Sequence, residues 1–350
     1  MIDVGLIGFG IAGRAFHAPI IHAVSGLRLA AIVERHASVS AQFYPEARIV
    51  RSIEELLGID SIRLVVIATP NDSHFSYAKQ CLEAGRDVVV DKPFTNTVND
   101  AQELVGLAKK LGRLITVYQD RRWDGDFHTV RQLVANGELG RIVRFETYYD
   151  RFRPALRPGA WREKPGPGSG ILFDLGPHLV DQALALFGVP EFVEADVRIE
   201  RDNCVTDDSF EILLHYPHGM RASLQSTMLA AAPRPHYVLF GTQGTFVKHG
   251  HDPQEALLRA DVPPGGDNWG VDPEENWGTL TTSDGIVTSE RRIPTARGDY
   301  RGFYENVRDA IKGCAPLAVT PEHCVNVIRV LELASESSRR RCAVPCPSNP

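Results

Sequence analysis

The sequence lacks three features that would each place it in a specialised class of protein. No stretch approaches the roughly 18 uninterrupted apolar residues that a membrane helix requires, and no basic segment precedes an apolar run near Met1. No block rich in lysine and arginine interleaves with aromatic residues, and the formal net charge is −6. We therefore expect a cytoplasmic protein with no membrane span, no export signal and no nucleic-acid partner.

Cysteine is too scarce and too scattered for a disulfide framework or a metal centre. The six cysteines among 350 residues include no Cys-X-X-Cys pair, and Cys342 and Cys346 lie in a proline-containing tail. Hydrophobic residues nevertheless make up 43% of the chain, which is enough to bury a core without cross-links. We predict reduced thiols, no metal and, from the length, about two domains.

Short β-branched runs alternate with longer segments of helical period in the first part of the chain. This alternation is typical of a parallel sheet covered by helices. We expect residues 1–120 to form an α/β domain. The predicted strands are 4–7, 29–33, 64–68, 88–90 and 114–118, and the predicted helices are 12–24, 73–84 and 98–111, followed by a helix at 123–136 and a strand at 142–149.

The remainder of the chain shows a different pattern. A loop rich in proline and glycine at 157–170 precedes a predicted helix at 171–187, and a second long loop is predicted at 261–278, before a polar tail. No helical segment separates the strands predicted between these loops, so they are expected to form a largely antiparallel sheet. We predict an α+β domain over residues 121–350 with a large open sheet. Its predicted strands are 192–199, 210–216, 220–228 and 237–240.

A glycine-rich turn directly follows the first predicted strand and opens the first predicted helix. The first glycine of such a motif allows a tight turn, the second lets the backbone approach a pyrophosphate, and the third lets helix and strand pack closely. The helix N-terminus then offers unpaired N–H groups to the phosphates. We predict a dinucleotide-binding site at Gly8, Phe9, Gly10, Ile11, Ala12 and Gly13.

Two charged residues at the end of the second strand bear on which dinucleotide binds. Glu34 lies 26 positions after Gly8, where a carboxylate would accept hydrogen bonds from an adenosine ribose diol and favour NAD. Arg35 follows it and could instead meet the 2′-phosphate of NADP. A solvated pair of charges in a loop is a further alternative, so the cofactor is predicted as NAD or NADP.

Polar residues follow two further predicted strands, in Ala-Thr-Pro-Asn-Asp-Ser-His and in Asp-Lys-Pro. The carboxyl ends of parallel strands meet at the edge of the sheet where open α/β folds bind ligands. We therefore expect Thr69, Asn71, His74 and Lys92 to lie at the cofactor, with Lys92 able to hold a hydroxyl or exchange a proton. Considered alone, a Lys-Pro pair after a strand is more often a surface feature.

A third group of polar residues lies in the helix predicted after the proline-rich loop. If this segment is helical, Asp174, His178 and Asp181 fall within about 60° of arc and share one face. A carboxylate beside an imidazole sets the tautomer and stabilises the imidazolium during proton transfer. A helix-start aspartate with a core histidine is the plainer alternative, and Gly176 and Pro177 leave the start of the helix open.

The order of these motifs resembles the Gfo/Idh/MocA oxidoreductases over nearly the whole chain. The glycine turn, the two strand-end motifs, Trp-Arg-Glu and the segment around the Asp-X-Gly-X-His motif all match in sequence order. Longer segments are similar to the branch of the family that contains NADP-dependent scyllo-inositol dehydrogenase. These segments are 13–21, 117–127, 150–163, 174–188 and 251–258.

The resemblance implies a Rossmann domain that carries NAD or NADP, followed by a domain whose open sheet shapes the substrate site. In this family that sheet often forms the interface of a homo-oligomer, here expected to be a dimer or tetramer. By position, Lys92, Asp174 and His178 match the catalytic residues of the family. Asp91 precedes Lys92 where glutamate is more usual, and Glu34 stands where a member that prefers NADP would carry a small polar residue.

The resemblance also implies contacts to the cofactor and to the substrate. Trp161 and Arg162 match a pair that reaches the cofactor in many members, and Gln119 in another matching segment is expected to contact it too. A polar run close in sequence to this pair offers hydrogen bonds to a polyhydroxylated ligand. The expected substrate contacts are Lys92, Tyr149, Asp150, Arg153, Asp174 and His178.

The implied function is an enzyme that moves a hydride between nicotinamide and a polyol or sugar, with an inositol as the most specific expectation. His178 is assigned proton transfer, Asp174 orients it and Lys92 holds the reacting oxygen, although the inverse roles of His178 and Lys92 stay open. Reduction of a keto-sugar or an anhydro-sugar would use the same residues. A nucleotide-sensing regulator without turnover is the alternative from another class, and fold alone does not separate the two.

Overall fold

The computed structural model describes residues 1–157 and 163–347, and the chain divides into two compact units. The first unit comprises Met1–Trp123, Pro253–Trp269 and Asp299–Val325. The second unit comprises Asp124–Asp252, Gly270–Gly298 and Asn326–Pro350. The chain passes from the first unit to the second after Trp123, close to the boundary predicted between residues 120 and 121. The later returns of the chain to the first unit, at Pro253 and Asp299, are not evident from the sequence.

The strands and helices are numbered here in chain order for the described residues. The strands are β1 (Ile2–Ile7), β2 (Leu27–Val33), β3 (Arg48–Val50), β4 (Ile62–Ile67), β5 (Asp87–Val90), β6 (Ile115–Val117), β7 (Ile142–Tyr148), β8 (Phe192–Arg198), β9 (Ser209–His215), β10 (Arg221–Thr227), β11 (Tyr237–Gly241), β12 (Gly244–Lys248), β13 (Gly278–Ser283), β14 (Thr288–Ile293) and β15 (Val344–Pro345). The α-helices are α1 (Ala18–Ala23), α2 (Ile53–Leu57), α3 (His74–Glu83), α4 (Val98–Leu111), α5 (Gly125–Ala135), α6 (Gly170–Phe187), α7 (Gln254–Arg259), α8 (Arg301–Ile311) and α9 (Pro321–Arg340).

The first unit contains a parallel sheet with the strand order β3-β2-β1-β4-β5-β6. Consecutive residues of β1, β4 and β5 are almost all buried, so both faces of this sheet are covered. Because β4 and β5 are neighbours, the polar residues that follow them, Thr69 and Lys92, extend from the same edge of the sheet. The predicted Rossmann-type α/β architecture is confirmed.

Local signals explain which helices of this unit the sequence predicts well. α4 has the predicted bounds, because Thr97 accepts a hydrogen bond from the Asp100 amide at its start and Gly112 ends it with a left-handed φ of 63°. The helix predicted at 12–24 instead begins as a π-helical segment, Ala12–His17, and only then continues as α1. β3 and α2 are too short to show a period in the sequence.

The second unit contains a nine-stranded sheet with the order β14-β13-β12-β11-β7-β10-β9-β8-β15. Its described strands pair antiparallel except β7 with β10, which confirms the prediction of a mostly antiparallel sheet. α6 packs against β9 and β10 and continues through Pro177. The predicted polar tail is wrong, because α8 and α9 occupy this part of the chain and bury apolar residues such as Phe303 and Leu331.

Candidate functional site

The glycine turn after β1 leaves open space at one of its three glycines. Gly8 has a φ of +96°, and a Cβ there would lie 2.8 Å from the carbonyl oxygen of Ala68. A Cβ at Gly13 would collide with the carbonyl oxygen of Gly8, so the third glycine allows the helix to pack on the turn. No atom lies within 4 Å of the Cβ position of Gly10. The turn therefore fits a nicotinamide dinucleotide, whose pyrophosphate would lie beside Gly10.

The buried amide of Gln119 is a second feature that suits a ligand. Gln119 follows β6 and is 2% exposed, and its Oε1 accepts no hydrogen bond from the described residues. An unpaired buried acceptor costs about 1–3 kcal/mol. A ligand that offers an amide N–H to Gln119 would remove this cost, which supports the prediction that Gln119 contacts the cofactor.

Glu34 does not present its carboxylate in the way that the ribose-diol interpretation requires. Its Oε1 accepts a hydrogen bond from the Val39 amide at 3.1 Å, and its Oε2 accepts from the Ser40 amide at 3.0 Å and from the Ser40 hydroxyl. Glu34 is buried, whereas Arg35 is exposed and donates to the Tyr77 hydroxyl. The geometry therefore favours a structural role for Glu34 and leaves Arg35 as the charge available to a ligand.

His74 joins the two loops that follow β4 and β5. Its Nδ1 lies 2.8 Å from the carbonyl oxygen of Pro93, and its Nε2 lies 2.9 Å from that of Thr69. Burial lowers the pKa of His74, while the negative charge of Asp91 and the two carbonyl groups oppose this shift. Since both ring nitrogens face protein groups, His74 supports the loop that carries Lys92 rather than offering a free nitrogen to the cofactor. Thr69 is also held locally, by a 2.7 Å hydrogen bond to a serine hydroxyl.

Asp91 and Lys92 lie in a cluster of polar groups that the sequence motifs do not reveal. The Lys92 amide donates to Asp91 Oδ1 at 2.8 Å, and His17 Nε2 lies 3.7 Å from the same oxygen. His17 Nδ1 is 2.6 Å from the Tyr304 hydroxyl. Lys92 itself is half-buried. His17 lies in a segment that matches the family, but no spacing rule connects it with Tyr304, which is 287 positions away.

Asp120 adds a buried acid to this cluster. Burial raises the pKa of Asp120 to about 6, and the negative charges of Asp91 and Glu255 act in the same direction, against Arg121 and Lys92. The folded protein therefore keeps the Asp120 proton at pH values where the unfolded chain has lost it. Stability from this group is present at low pH and is lost as the pH rises through about 6.

Asp120→Asn is expected to remove this pH dependence, because the amide cannot ionise. Wild type should therefore gain stability relative to Asp120→Asn as the pH falls. Between pH 8 and pH 5, which is one unit below the Asp120 pKa, the difference between their free energies of unfolding should grow by about 1.4 kcal/mol in favour of wild type. Urea unfolding of both proteins at several pH values measures this difference. If the difference between the two free energies of unfolding stays constant between pH 8 and pH 5, the pKa of Asp120 is not raised in the folded protein.

The second unit contains the predicted acid and histidine on one helix. α6 begins at Gly170, so Asp174, His178 and Asp181 are all helical and share one face. His178 and Asp181 are buried, whereas the Asp174 side chain is 15% exposed and lies 3.7 Å from Arg151 Nη1. A carboxylate, an imidazole and a cation therefore belong to one neighbourhood of this unit.

The polar run at 149–153 contributes to this neighbourhood only in part. The Arg151 guanidinium lies over the Tyr149 ring, 5.6 Å from its centre, so the structure links Tyr149 through Arg151 to Asp174. Arg151 belongs to the predicted polar run, although the substrate contacts predicted individually from this run are only Tyr149, Asp150 and Arg153. Asp150 instead accepts two hydrogen bonds from Arg234, at 2.6 and 2.8 Å, and one from the Thr227 amide at the end of β10.

The structure describes two of the remaining predicted contact residues, Arg153 and Asn71. The Arg153 amide donates to the Met228 carbonyl at 2.7 Å, which fixes its backbone beside β10. Asn71 is buried in a 3₁₀ turn before α3. Trp161 and Arg162, predicted to reach the cofactor, lie outside the described residues.

Three further properties concern the described residues as a whole. No helix there is long and apolar enough to cross a membrane. No group of three or more histidine, cysteine, aspartate or glutamate side chains is placed to hold a metal ion. The six cysteines, all of which are described, form no disulfide bond.

Comparisons with known proteins agree with this architecture. Residues 2–119 match the oxidoreductase family with an NAD-binding Rossmann fold, and residues 127–247 match the Gfo/Idh/MocA C-terminal domain. YdgJ of Escherichia coli (strain K12), named as an uncharacterised oxidoreductase, is 42% identical over 98% of both chains. The scyllo-inositol 2-dehydrogenase (NADP(+)) IolW of Bacillus subtilis (strain 168) is 37% identical over 97% of this chain and 94% of its own. The solved structure of yvaA from Bacillus subtilis has a TM-score of 0.96 and 36% identity, and covers 99% of this chain and 98% of its own.

Proposed function

Since this chain belongs to the Gfo/Idh/MocA oxidoreductase family, we propose that it oxidises a polyol, most specifically an inositol, and prefers NADP. Family membership makes the protein an NAD(P)-dependent oxidoreductase that acts on CH–OH groups. The observation that carries the proposal is the placement of Asp174 and His178 on one face of α6, with Arg151 beside Asp174. A protein that only senses nucleotides does not need such a proton-transfer pair.

The proposed reaction assigns a separate task to each side chain. The bound dinucleotide would supply the hydride acceptor, C4 of its nicotinamide. As the substrate carbon loses its hydride, His178 accepts the hydroxyl proton and the C–O bond becomes a carbonyl. Asp174 stabilises the imidazolium that forms, and Lys92 holds the reacting oxygen. Reduction of a keto-sugar runs the same steps in reverse.

An uncharged cyclic polyol has to be recognised through hydrogen bonds to its hydroxyl groups. Polar groups left unpaired by a wrong substrate then cost affinity, which gives selectivity. Tyr149 and Arg151, beside Asp174, are suited to such contacts. The near full-length similarity to a protein named as a scyllo-inositol dehydrogenase supports an inositol. Homo-oligomerisation and a cytoplasmic location stay predictions.

A substrate panel tests the proposal. Inositols and aldoses are supplied with NADP and with NAD, and the absorbance of reduced nicotinamide is followed. The highest kcat/KM is expected for an inositol with NADP. If the enzyme oxidises only aldoses, the proposed inositol substrate is wrong. The same holds if it only reduces keto-sugars or anhydro-sugars with the reduced cofactor, although the reaction class stays the same.

Arg35→Ala is expected to reduce kcat/KM with NADP by about 10-fold or more, and to change kcat/KM with NAD little. The reason is that a hydrogen bond to a charged phosphate contributes about 1.5–3 kcal/mol, and only NADP carries the 2′-phosphate. Arg131→Ala, which removes an exposed charge from α5, is the matched control. If wild type prefers NAD, or if Arg35→Ala affects both cofactors equally, Arg35 does not bind the 2′-phosphate.

A further inference from the structure

A short chain of polar groups connects a buried tyrosine on α8 with the backbone of Lys92. Tyr304 Oη is 2.6 Å from His17 Nδ1, His17 Nε2 is 3.7 Å from Asp91 Oδ1, and that oxygen accepts the Lys92 amide at 2.8 Å. Tyr304 and His17 are fully buried, so bulk water does not compete for these contacts. We propose that Tyr304, His17 and Asp91 form a positioning relay that fixes the tautomer of His17 and thereby holds Lys92 in place.

The relay assigns the donor role in its first contact, 2.6 Å long, to the hydroxyl of Tyr304. Burial, followed by the negative charges of Asp91 and Asp120, raises the pKa of Tyr304 well above its usual value, so the hydroxyl keeps its proton. A neutral imidazole carries a proton on only one nitrogen. If Tyr304 donates to Nδ1 of His17, Nε2 carries the proton.

The opposite tautomer would be unfavourable at the second contact. It would direct the lone pair of Nε2 toward the carboxylate of Asp91, whereas an Nε2–H group directs a positive hydrogen toward it. Nε2 makes no hydrogen bond to other described residues, so Asp91 is the group that it faces. The Tyr304 hydroxyl thus selects the tautomer that attracts Asp91.

Asp91 carries the negative charge that this arrangement requires. Burial would raise the pKa of Asp91, but the contact with the His17 ring and the positive charge of Lys92 outweigh this and lower it. Asp120 adds a second acid beside this group, and Arg121 and Glu255 lie next to Asp120. The Asp91 carboxylate can therefore hold the Lys92 amide on one side and face the His17 N–H on the other.

The consequence for catalysis rests on the role proposed above for Lys92. Lys92 follows β5 directly, so the orientation of its peptide decides where its ammonium group reaches. A displacement of about 1 Å in a reacting geometry can reduce the rate by as much as 10²-fold. The return of the chain to the first unit at residues 299–325 brings the Tyr304 hydroxyl to this relay.

Tyr304→Phe tests the relay, and Tyr118→Phe is its matched control. Tyr118 is also buried, its ring centre lies 4.3 Å from that of His17, and its hydroxyl donates to the Phe16 carbonyl at 3.0 Å, outside the relay. Both variants lose one buried hydroxyl, so a merely structural effect should lower their stability alike. We expect kcat to fall by about 10-fold or more in Tyr304→Phe and by less than about twofold in Tyr118→Phe, with the Kd of NADP unchanged in both.

Two further variants separate the charge of Asp91 from its size. Asp91→Glu keeps the carboxylate and should retain most of the turnover, whereas Asp91→Asn should reduce kcat. Adding Asp91→Asn to Tyr304→Phe should cause little further loss, because both changes interrupt the same relay. Full additivity of the two losses, or equal kcat values in Tyr304→Phe and Tyr118→Phe, would overturn the relay.

The tautomer of His17 provides a readout that does not depend on activity. Long-range proton–nitrogen NMR spectra report which imidazole nitrogen is protonated, and the His17 signals are assigned as those missing from His17→Gln. We expect Nε2–H in wild type and a mixture of tautomers in Tyr304→Phe. A wild-type Nδ1–H tautomer refutes the relay. If wild type oxidises no polyol, the proposed function fails, and the spectra still decide the relay.

Discussion

Gly10→Val is expected to reduce the affinity for NADP by at least about 100-fold, while the protein stays folded. The second glycine of the turn allows the backbone to approach the pyrophosphate, and a valine would fill that space. No atom lies within 4 Å of its Cβ position, so the free protein accommodates the side chain. Titration with NADP followed by fluorescence, together with thermal unfolding, measures both effects.

Gly106→Val is the matched control for this variant. Gly106 lies in α4, and its Cβ position is likewise free of atoms within 4 Å. The control should bind NADP like wild type. Unchanged NADP affinity in Gly10→Val would show that the pyrophosphate does not lie at this turn. A loss of folding in Gly10→Val alone would show that the free protein cannot accommodate a side chain at this position.

His178→Ala is expected to lower kcat by about 10²- to 10⁴-fold, the range that proton transfer by a positioned side chain contributes. The Kd of NADP should stay within about twofold of wild type, because the change lies in the proton-transfer group rather than in the glycine turn. Steady-state kinetics with an inositol and direct titration with NADP measure the two quantities. His215→Ala, in β9 and partly exposed, is the control for loss of a histidine.

Lys92→Ala distinguishes the roles of His178 and Lys92. If Lys92 holds the reacting oxygen, its removal should raise KM and lower kcat, whereas His178→Ala should act mainly on kcat. The opposite pattern would exchange the two roles. Normal turnover in both variants, on every substrate that wild type accepts, would contradict the assignment of proton transfer altogether.

The parts of the fold that follow local rules could be predicted from the sequence. α4 has its predicted bounds because a threonine cap and a terminal glycine define them. The glycine turn and the face shared by Asp174 and His178 depend only on spacing along a strand–turn–helix unit and along one helix. The π-helical start of the first helix was not predicted, since π and α turns share much the same apolar pattern.

Most features that could not be predicted from the sequence depend on contacts between distant parts of the chain. The burial of Glu34 depends on the backbone path of the loop that follows β2. Sequence spacing does not reveal that two backbone amides of this loop donate hydrogen bonds to the Glu34 carboxylate. The contact of His17 with Tyr304 joins segments 287 positions apart. Its polar neighbours suggest that Asp150 binds substrate, yet its carboxylate accepts hydrogen bonds from Arg234, 84 positions away. Such pairings arise from the topology and are not visible in local patterns.

The central claim is that a hydride passes from a carbon of an inositol to the nicotinamide of NADP. The most direct measurement supplies wild type with NADP and scyllo-inositol that carries deuterium on its ring carbons. One deuterium is expected at C4 of the reduced nicotinamide, seen by mass spectrometry and NMR. The reaction should also be slower than with unlabelled inositol when hydride transfer limits the rate. Reduced cofactor without deuterium, or no reduced cofactor from scyllo-inositol or any other inositol, would contradict it.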